Sequence, residues 1–205
     1  MAELLGIESS YASTPLVVAV SGASGAGKTT LVKELAKTFS GRSLFFDDFV
    51  DSHTYPNNMQ DWLHQGLNFD DIKTPKFIQA IESLKHTEAP GRLLFIEEPF
   101  GRQRSQVAHL VDVVIHLNIP LAISLARIIE RRLTSNCGSS ATGGVHQFVK
   151  NYQDHLFDIY QHANSKIAQD VDISIDDHTL TAEQIVVELS QYLASYCKCS
   201  DGIER

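Results

Sequence analysis

Long apolar runs are absent from this sequence. No stretch approaches the roughly 18 consecutive apolar residues that a transmembrane helix requires. Residues 1–15 also lack a basic segment followed by an apolar one, which is the pattern of a secretory signal. We therefore expect no membrane partner and interpret residues 1–15 as a short surface lead-in. At 205 residues the chain has the length of one well-buried domain, which we expect to span residues 1–205.

Cysteine and positive charge are also scarce. The three cysteines, Cys137, Cys197 and Cys199, are odd in number and lack the spacing of metal ligands, so we expect a reducing, cytoplasmic location. The net charge of -8 argues against nucleic acid as a partner, because neutralising its phosphates needs a basic surface. Small anions held by a few local cations remain compatible with this charge. The oligomeric state is left open.

A glycine-rich motif follows a short apolar run near the start of the chain. Residues 22–29 read GASGAGKT and fit the P-loop pattern G-x-x-x-x-G-K-[ST] with no mismatch. Glycines let successive backbone N–H groups curl around a phosphate, and the helix that follows adds the positive end of its dipole. The motif predicts a bound nucleoside triphosphate, with these cofactor-binding residues: Gly22, Ala23, Ser24, Gly25, Ala26, Gly27, Lys28, Thr29 and Thr30.

Two side chains of this motif have specific roles in P-loop proteins. The lysine reaches the β- and γ-phosphates, and the hydroxyl residue after it ligates Mg²⁺. We therefore assign these roles to Lys28 and Thr29 and expect ATP and Mg²⁺ as cofactors. The alternative, a glycine-rich turn without a ligand, is disfavoured because the motif stands between an apolar strand and an amphipathic helix.

Predicted strands and helices alternate along the chain. We therefore expect an α/β fold, a P-loop NTPase three-layer sandwich with a five-stranded, mostly parallel sheet and helices on both faces. Residues 51–73 are interpreted as an acceptor-binding loop, and residues 134–145 as a small flexible lid because of their glycine and serine content. The predicted strands are residues 16–20, 43–46, 93–96, 113–117 and 171–175, and the main predicted helices are residues 28–39, 75–84, 120–133, 145–160 and the segment after Thr181.

Acidic residues follow two of the predicted strands. Asp47 and Asp48 end the second strand, and Glu97 and Glu98 end the third. Ligands of such sheets gather at the carboxyl ends of the strands. Phosphoryl transfer to an alcohol needs one carboxylate to accept the hydroxyl proton and another to help hold Mg²⁺. Either Asp47 or Asp48 could be the base and Glu97 could serve the metal; alternatively, each acid caps a helix or lies in solvent.

Arginines on the helix after Pro120 supply the third feature. Arg127 and Arg131 are four residues apart, so they share a helix face. A lid carrying them could close over the phosphates, exclude water and stabilise the transferred charge. The alternative is an intrahelical ion pair with Glu130. Arg102 and Arg104 are two further cations that could bind an anion or could equally lie in solvent.

Together these features resemble the uridine kinase and nicotinamide riboside kinase group of P-loop kinases, and the latter more closely. The resemblance covers about residues 16–193. It rests on these motifs: GASGAGKTT at residues 22–30, Asp47-Asp48-Phe49, Asn68-Phe69-Asp70, Ile96-Glu97, and the helices that flank the lid.

This resemblance implies roles for individual residues. Asp47 would be the general base and, with Thr29 and Glu97, would belong to the metal site. Phe69 would pack on the nucleobase and Asp70 would hydrogen-bond the ribose. The implied acceptor site therefore comprises Asp47, Asp48, Phe69, Asp70 and Glu97, and the implied catalytic set comprises Lys28, Asp47, Arg127 and Arg131.

One departure concerns the acceptor pocket. The family tends to have glycine directly after the strand-three glutamate, whereas this chain has Glu98-Pro99, which could change the substrate that fits. The sequence predicts an ATP-dependent kinase of a small-molecule hydroxyl, with the 5′-hydroxyl of a nucleoside such as uridine or nicotinamide riboside as the preferred acceptor. The alternatives are a kinase of a non-nucleoside alcohol, such as a sugar phosphate or a pantothenate-like compound, and a P-loop ATPase or switch protein.

Overall fold

A five-stranded sheet lies at the centre of the protein. The computed structural model describes residues 14–86, 93–135 and 139–199. The strand order is β2-β3-β1-β4-β5 and each neighbouring pair is parallel, which confirms the predicted sheet. The strands are β1 (Leu16–Ser21), β2 (Arg42–Leu44), β3 (Leu93–Glu97), β4 (Val113–Leu117) and β5 (Ile173–Ile175).

Helices and helical turns connect the strands. Of two short 3₁₀ turns, Phe46–Phe49 precedes the segment that was predicted to bind the acceptor and Phe69–Asp71 lies within it. A π-helical turn, Tyr152–Leu156, joins two later helices. The α-helices are α1 (Lys28–Thr38), α2 (Met59–His64), α3 (Pro75–Lys85), α4 (Ser105–Ala108), α5 (Leu121–Ser135), α6 (Ser139–Asn151), α7 (Phe157–Ile167) and α8 (Ala182–Cys199). None of the helices within the described ranges has the length and apolar character needed to cross a bilayer.

Side chains of β1 alternate between the two faces of the sheet. Val17 and Ala19 pack in an apolar cluster with residues of α3 and α7, whereas Val18 and Val20 pack in another with residues of α1 and α8. Because both faces are covered, β1 is apolar along its whole length rather than at alternate positions. The predicted three-layer α/β sandwich is therefore confirmed.

Strand boundaries differ from the predictions at β2 and at β5, which begins at Ile173 rather than at residue 171. Strand β2 ends at Leu44 rather than Phe46, because Phe46 turns into the core and begins a 3₁₀ turn. Helix α3 begins at Pro75 as predicted, yet Thr74 does not cap it through its side chain. In contrast, Thr181 and Gln184 form a capping box before α8, with reciprocal side chain to backbone hydrogen bonds of 2.8 and 3.3 Å.

The predicted flexible lid is helical in most of its described part. Residues 136–138 lie outside the described residues, but α5 continues to Ser135 and α6 begins at Ser139. A glycine costs a helix only about 1 kcal/mol relative to alanine. Packing of α6 against α5, including the Arg132 guanidinium 4.6 Å from the centre of the Phe148 ring, offsets that cost. A prediction from glycine and serine content alone therefore overestimated the length of the loop.

Candidate active site

The P-loop connects β1 to α1 through a backbone that glycine makes accessible. Gly22 and Gly25 have φ angles of 134° and 83°, values that other residues rarely adopt. A Cβ atom on Gly25 would lie 2.3 Å from the Ser124 carbonyl oxygen in α5, and one on Gly22 would lie 2.7 Å from the Leu117 carbonyl oxygen in β4. The loop therefore packs closely against both elements, and this packing fixes its shape.

A carboxylate from β3 contacts both functional side chains of the P-loop. The Lys28 ammonium lies 3.6 Å from Glu97 Oε1 and also donates to the Ala23 carbonyl oxygen. The Thr29 hydroxyl donates to Glu97 Oε2 over 2.7 Å. Burial lowers the pKa of Lys28, while the charges of Glu97 and Asp47 oppose this shift. Glu97 thus holds Lys28 and Thr29 in the place where phosphates would bind.

The pairing of Thr29 and Glu97 fits the requirements of Mg²⁺. This ion prefers oxygen ligands and is commonly held by one or two carboxylates together with substrate phosphates and water. Within the described ranges, no group of three or more His, Cys, Asp or Glu side chains could form a complete metal cage. Thr29 and Glu97 are therefore the residues that would hold such an ion together with the phosphates of a nucleotide.

One cleft of about 590 Å³ opens beside the P-loop. Its phosphate side consists of the P-loop, Asp47, Glu97, Arg127 and Arg131. A second wall, which we call the acceptor wall, comes from the segment between β2 and α3, from the turn after β3, and from the π-helical turn with α7. The acceptor wall consists of Tyr55, Met59, Trp62, Ile72, Pro99, Phe100, Asn151, His155, Leu156, Ile159, Tyr160, Ala163 and Asn164.

The two candidate bases after β2 lie in different places. Phe46 is fully buried and anchors the 3₁₀ turn, which leaves the next residue, Asp47, exposed at the cleft. Asp47 is close enough to Lys28 and Tyr55 for its charge to raise the pKa of both groups. Asp48 is exposed and is not among the cleft residues. Of the two acids, the structure therefore brings Asp47 to the phosphate side.

Phe69 and Asp70, which the resemblance placed in the acceptor site, are not among the cleft residues. Phe69 is buried, with its ring centre 6.0 Å from that of Trp62 and 5.3 Å from that of Phe100. The Asp70 carboxylate accepts hydrogen bonds from the backbone N–H and the hydroxyl of Ser105, at 2.7 and 2.8 Å. In this structure Phe69 supports the acceptor wall from behind, and Asp70 orders the start of α4.

The two lid arginines differ in their surroundings. Arg127 donates to the Ala26 carbonyl oxygen of the P-loop (3.3 Å) and to the His178 carbonyl oxygen after β5 (2.9 Å). Arg131, one turn further along α5, is exposed at the cleft and forms no ion pair within the described part of the chain. No ion pair to Glu130 is present among these residues either, so this alternative is not realised there.

The unexpected Glu98 is a structural residue. It is fully buried and forms an ion pair with Arg104, which is itself only 1% exposed. Arg104 also donates to the Ile72 carbonyl oxygen and to the Thr74 hydroxyl, and its guanidinium lies 5.3 Å from the centre of the Phe46 ring. Arg104 is therefore not a solvated cation, and the pair ties the end of β3 to the acceptor-binding segment.

Arg102 is likewise engaged in the structure. It forms ion pairs with Asp170 and Asp172 and donates to the carbonyl oxygen of Asp112. Neither Arg102 nor Arg104 is therefore available to a phosphate. The residues that sequence reasoning missed are instead the polar groups of the π-helical turn and α7, because no motif marks them.

Comparison with known proteins gives matches to solved structures only: no protein-family model and no curated protein matches the chain. A gluconokinase from Sinorhizobium meliloti 1021 is similar over 94% of this chain and 99% of its own, with a TM-score of 0.55 and 15% identity. The chain has the fold of a P-loop kinase. A provisionally assigned fructose transport system kinase from Silicibacter sp. TM1040 is similar over 80% of this chain and 90% of its own, with a TM-score of 0.52 and 20% identity. Membership of the uridine kinase and nicotinamide riboside kinase group remains a prediction.

Proposed function

We propose that this protein is an ATP-dependent kinase that transfers the γ-phosphate to a hydroxyl group of a small molecule, with the 5′-hydroxyl of a nucleoside as the preferred acceptor. The observation that carries the proposal is the single cleft in which a P-loop faces a largely apolar and aromatic acceptor wall, with Asp47 at the phosphate side. An ATPase that signals through a partner has less need of such an acceptor wall. Kinase folds in the two similar structures agree with this assignment.

The proposed reaction uses the residues of the phosphate side. P-loop N–H groups and Lys28 bind the β- and γ-phosphates, and Lys28 exchanges its contact with Glu97 for the phosphates. Thr29 and Glu97 would hold Mg²⁺, which would supply neutralisation of charge on the phosphate oxygens. Asp47 accepts the proton of the acceptor hydroxyl while the hydroxyl oxygen bonds to the γ-phosphorus; the bond between the γ-phosphorus and the β–γ bridging oxygen breaks, and ADP leaves. Arg131 stabilises the negative charge of the transferred group.

The charge distribution of the cleft favours an acceptor without negative charge. The Lys and Arg residues that line it are Lys28, Arg127 and Arg131, and all three belong to the phosphate side. Arg104 lies behind the acceptor wall but is paired with Glu98. A carboxylate such as gluconate, or a sugar phosphate, would therefore find no cationic partner on the acceptor wall, and a buried unpaired charge is costly.

Aromatic side chains on the acceptor wall point to a planar acceptor. Tyr55, Trp62, Phe100 and Tyr160 line it together. Such rings bury large areas and stack on planar groups. This composition supports a nucleoside over the pantothenate-like and sugar phosphate alternatives.

Replacement of Asp47 by Asn tests the proposal. We expect kcat to fall by roughly 10² to 10⁴, the usual contribution of a general base, while the KM for ATP is unchanged because Asp47 does not belong to the P-loop. The assay measures phosphorylated product by mass with ATP, Mg²⁺ and a panel of uridine, nicotinamide riboside, gluconate and pantothenate. Asp48→Asn, the competing base, should have the smaller effect. Full activity of Asp47→Asn would contradict the proposal, as would ADP formation that is independent of every acceptor.

A further inference from the structure

The π-helical turn Tyr152–Leu156 changes which side chains reach the cleft. At 3.6 residues per turn, the twelve steps along the chain from Asn151 to Ala163 would make about three and a third turns, so the two side chains would point about 120° apart. A π turn is wider than an α turn, and it brings Asn151 and His155 onto the cleft face together with Ile159 and Ala163. Such turns are rare and occur frequently at functional sites.

Two polar atoms of residues that line the cleft are buried without a hydrogen-bond partner. They are Nδ1 of His155 and the carboxamide oxygen Oδ1 of Asn164. Buried polar groups in folded proteins are nearly always paired, so an unpaired one needs a specific explanation. Both residues line the cleft, and a bound molecule could supply the missing partners. The unpaired atoms are therefore the candidate contacts for a ligand in the cleft.

Their environment defines the chemistry of that ligand. An amide oxygen only accepts hydrogen bonds, so the ligand must present an N–H or O–H group to Asn164. Tyr160 and Ile159 lie between the two polar residues along α7 and give the surface an apolar body. No Lys or Arg belongs to the acceptor wall among the described residues, so a negatively charged group has no partner there.

We propose that the π-helical turn and α7 form the acceptor-recognition surface, in which Asn164 Oδ1 and His155 Nδ1 hydrogen-bond an acceptor that has a planar or apolar body and no negative charge. This inference rests on the proposed kinase function. It assigns recognition of the acceptor to His155 and Asn164 rather than to Phe69 and Asp70, which the structure engages elsewhere. His155 and Asn164 are specificity-determining residues that take no part in proton or phosphoryl transfer.

Binding measurements separate this inference from the kinase proposal. Isothermal titration calorimetry is carried out on the full chain with Mg²⁺ and a saturating non-hydrolysable ATP analogue. The probes are uridine and nicotinamide riboside, which carry no negative charge, and gluconate and pantothenate, which do. The variants are His155→Ala, Asn164→Ala and, as a matched control on an exposed position of α7, Gln161→Ala.

We expect uridine or nicotinamide riboside to bind and the two anions not to bind. His155→Ala and Asn164→Ala should each weaken binding about 10-fold, the usual effect of one lost hydrogen bond, whereas Gln161→Ala should have no effect. Because Asn164 Oδ1 is unpaired without ligand, Asn164→Ala should leave the ligand-free Tm unchanged or raise it; a purely structural role would lower it. If Asn164→Ala fails to bind the ATP analogue, Asn164→Ser replaces it.

Three results would overturn the inference: tighter binding of gluconate or pantothenate, no binding of either uridine or nicotinamide riboside, or affinities that neither variant changes. A different result would refute the kinase proposal alone. In that case uridine or nicotinamide riboside binds through His155 and Asn164, yet ATP and Mg²⁺ give no phosphorylated product. Failure of the site and failure of the reaction are thus distinguishable.

Discussion

Removal of Arg104 should strongly destabilise the protein. Arg104→Met leaves the Glu98 carboxylate without its ion-pair partner at a position with no solvent exposure. Breaking a buried pair in this way costs about 3–5 kcal/mol, because the remaining charge is neither hydrated nor compensated. The Ile72 carbonyl and the Thr74 hydroxyl also lose a donor. For a chain of this size the expected decrease in Tm is about 6–20 °C.

Two further variants isolate the buried charge as the cause. In the double variant Glu98→Leu/Arg104→Met the ion pair is removed as a whole, so it should recover most of the loss, apart from the unpaired Ile72 and Thr74 groups and the Phe100 N–H that donates to Glu98. Arg102→Met is the matched control two residues earlier, since its partners Asp170 and Asp172 are partly exposed, and it should cost about 1 kcal/mol.

The effect should also depend on pH. Burial raises the pKa of Glu98, and the charge of Arg104 opposes this rise. Without Arg104 the folded protein takes up a proton at Glu98 more readily than the unfolded chain does. Lowering the pH from 7 towards 5 should therefore reduce the stability difference between Arg104→Met and the wild type.

Urea unfolding followed by circular dichroism measures these free energies at each pH. The reasoning would be refuted if Arg104→Met cost less than about 1 kcal/mol, if Arg102→Met cost as much, or if the double variant were no more stable than Arg104→Met.

Two other predictions concern the P-loop and the end of β4. Gly25→Ala should destabilise the fold and abolish ATP binding, because its Cβ would lie 2.3 Å from the Ser124 carbonyl oxygen. Gly27→Ala should affect unfolding less, because no atom lies within 4 Å of the place that its Cβ would take. Urea unfolding and ATP titration compare the two variants. Burial lowers the pKa of His116 from 6.5 to about 4, so the unfolded chain binds a proton first and stability should fall by up to about 3 kcal/mol as the pH drops through that window. A His116→Gln variant that kept the same pH slope would contradict this assignment.

Most of the fold was predictable from sequence because its signals are local. Strand β4 was predicted at the observed residues, since five consecutive buried apolar or uncharged positions are unmistakable. The P-loop was equally clear, because its glycines are required by the backbone itself. Strand β2 was predicted two residues too long at its carboxyl end, because an apolar Phe46 looks the same in a strand and in a buried 3₁₀ turn.

The phosphate side was predictable for the same reason, and the acceptor wall was not. Helical periodicity made residues 145–160 a single helix, whereas the structure changes its hydrogen-bond pattern at Tyr152–Leu156. This change in hydrogen bonding determines whether His155 faces the cleft, and no residue type in the sequence predicts it. The Phe69-Asp70 motif predicted a contact with ligand, but the neighbours of both residues come from distant parts of the chain.

Arg127 and Arg131 are the same amino acid one helical turn apart, yet their side chains differ in rotamer freedom before any ligand binds. The guanidinium of Arg127 is already held by two backbone carbonyl oxygens, so its rotamer freedom was lost when the chain folded. Arg131 is exposed and still samples its rotamers, and ordering such a side chain costs up to about 2 kcal/mol. In the proposed function, Arg127 would therefore preorganise the P-loop before the nucleotide binds, and Arg131 would lose its rotamer freedom on contact with the γ-phosphate.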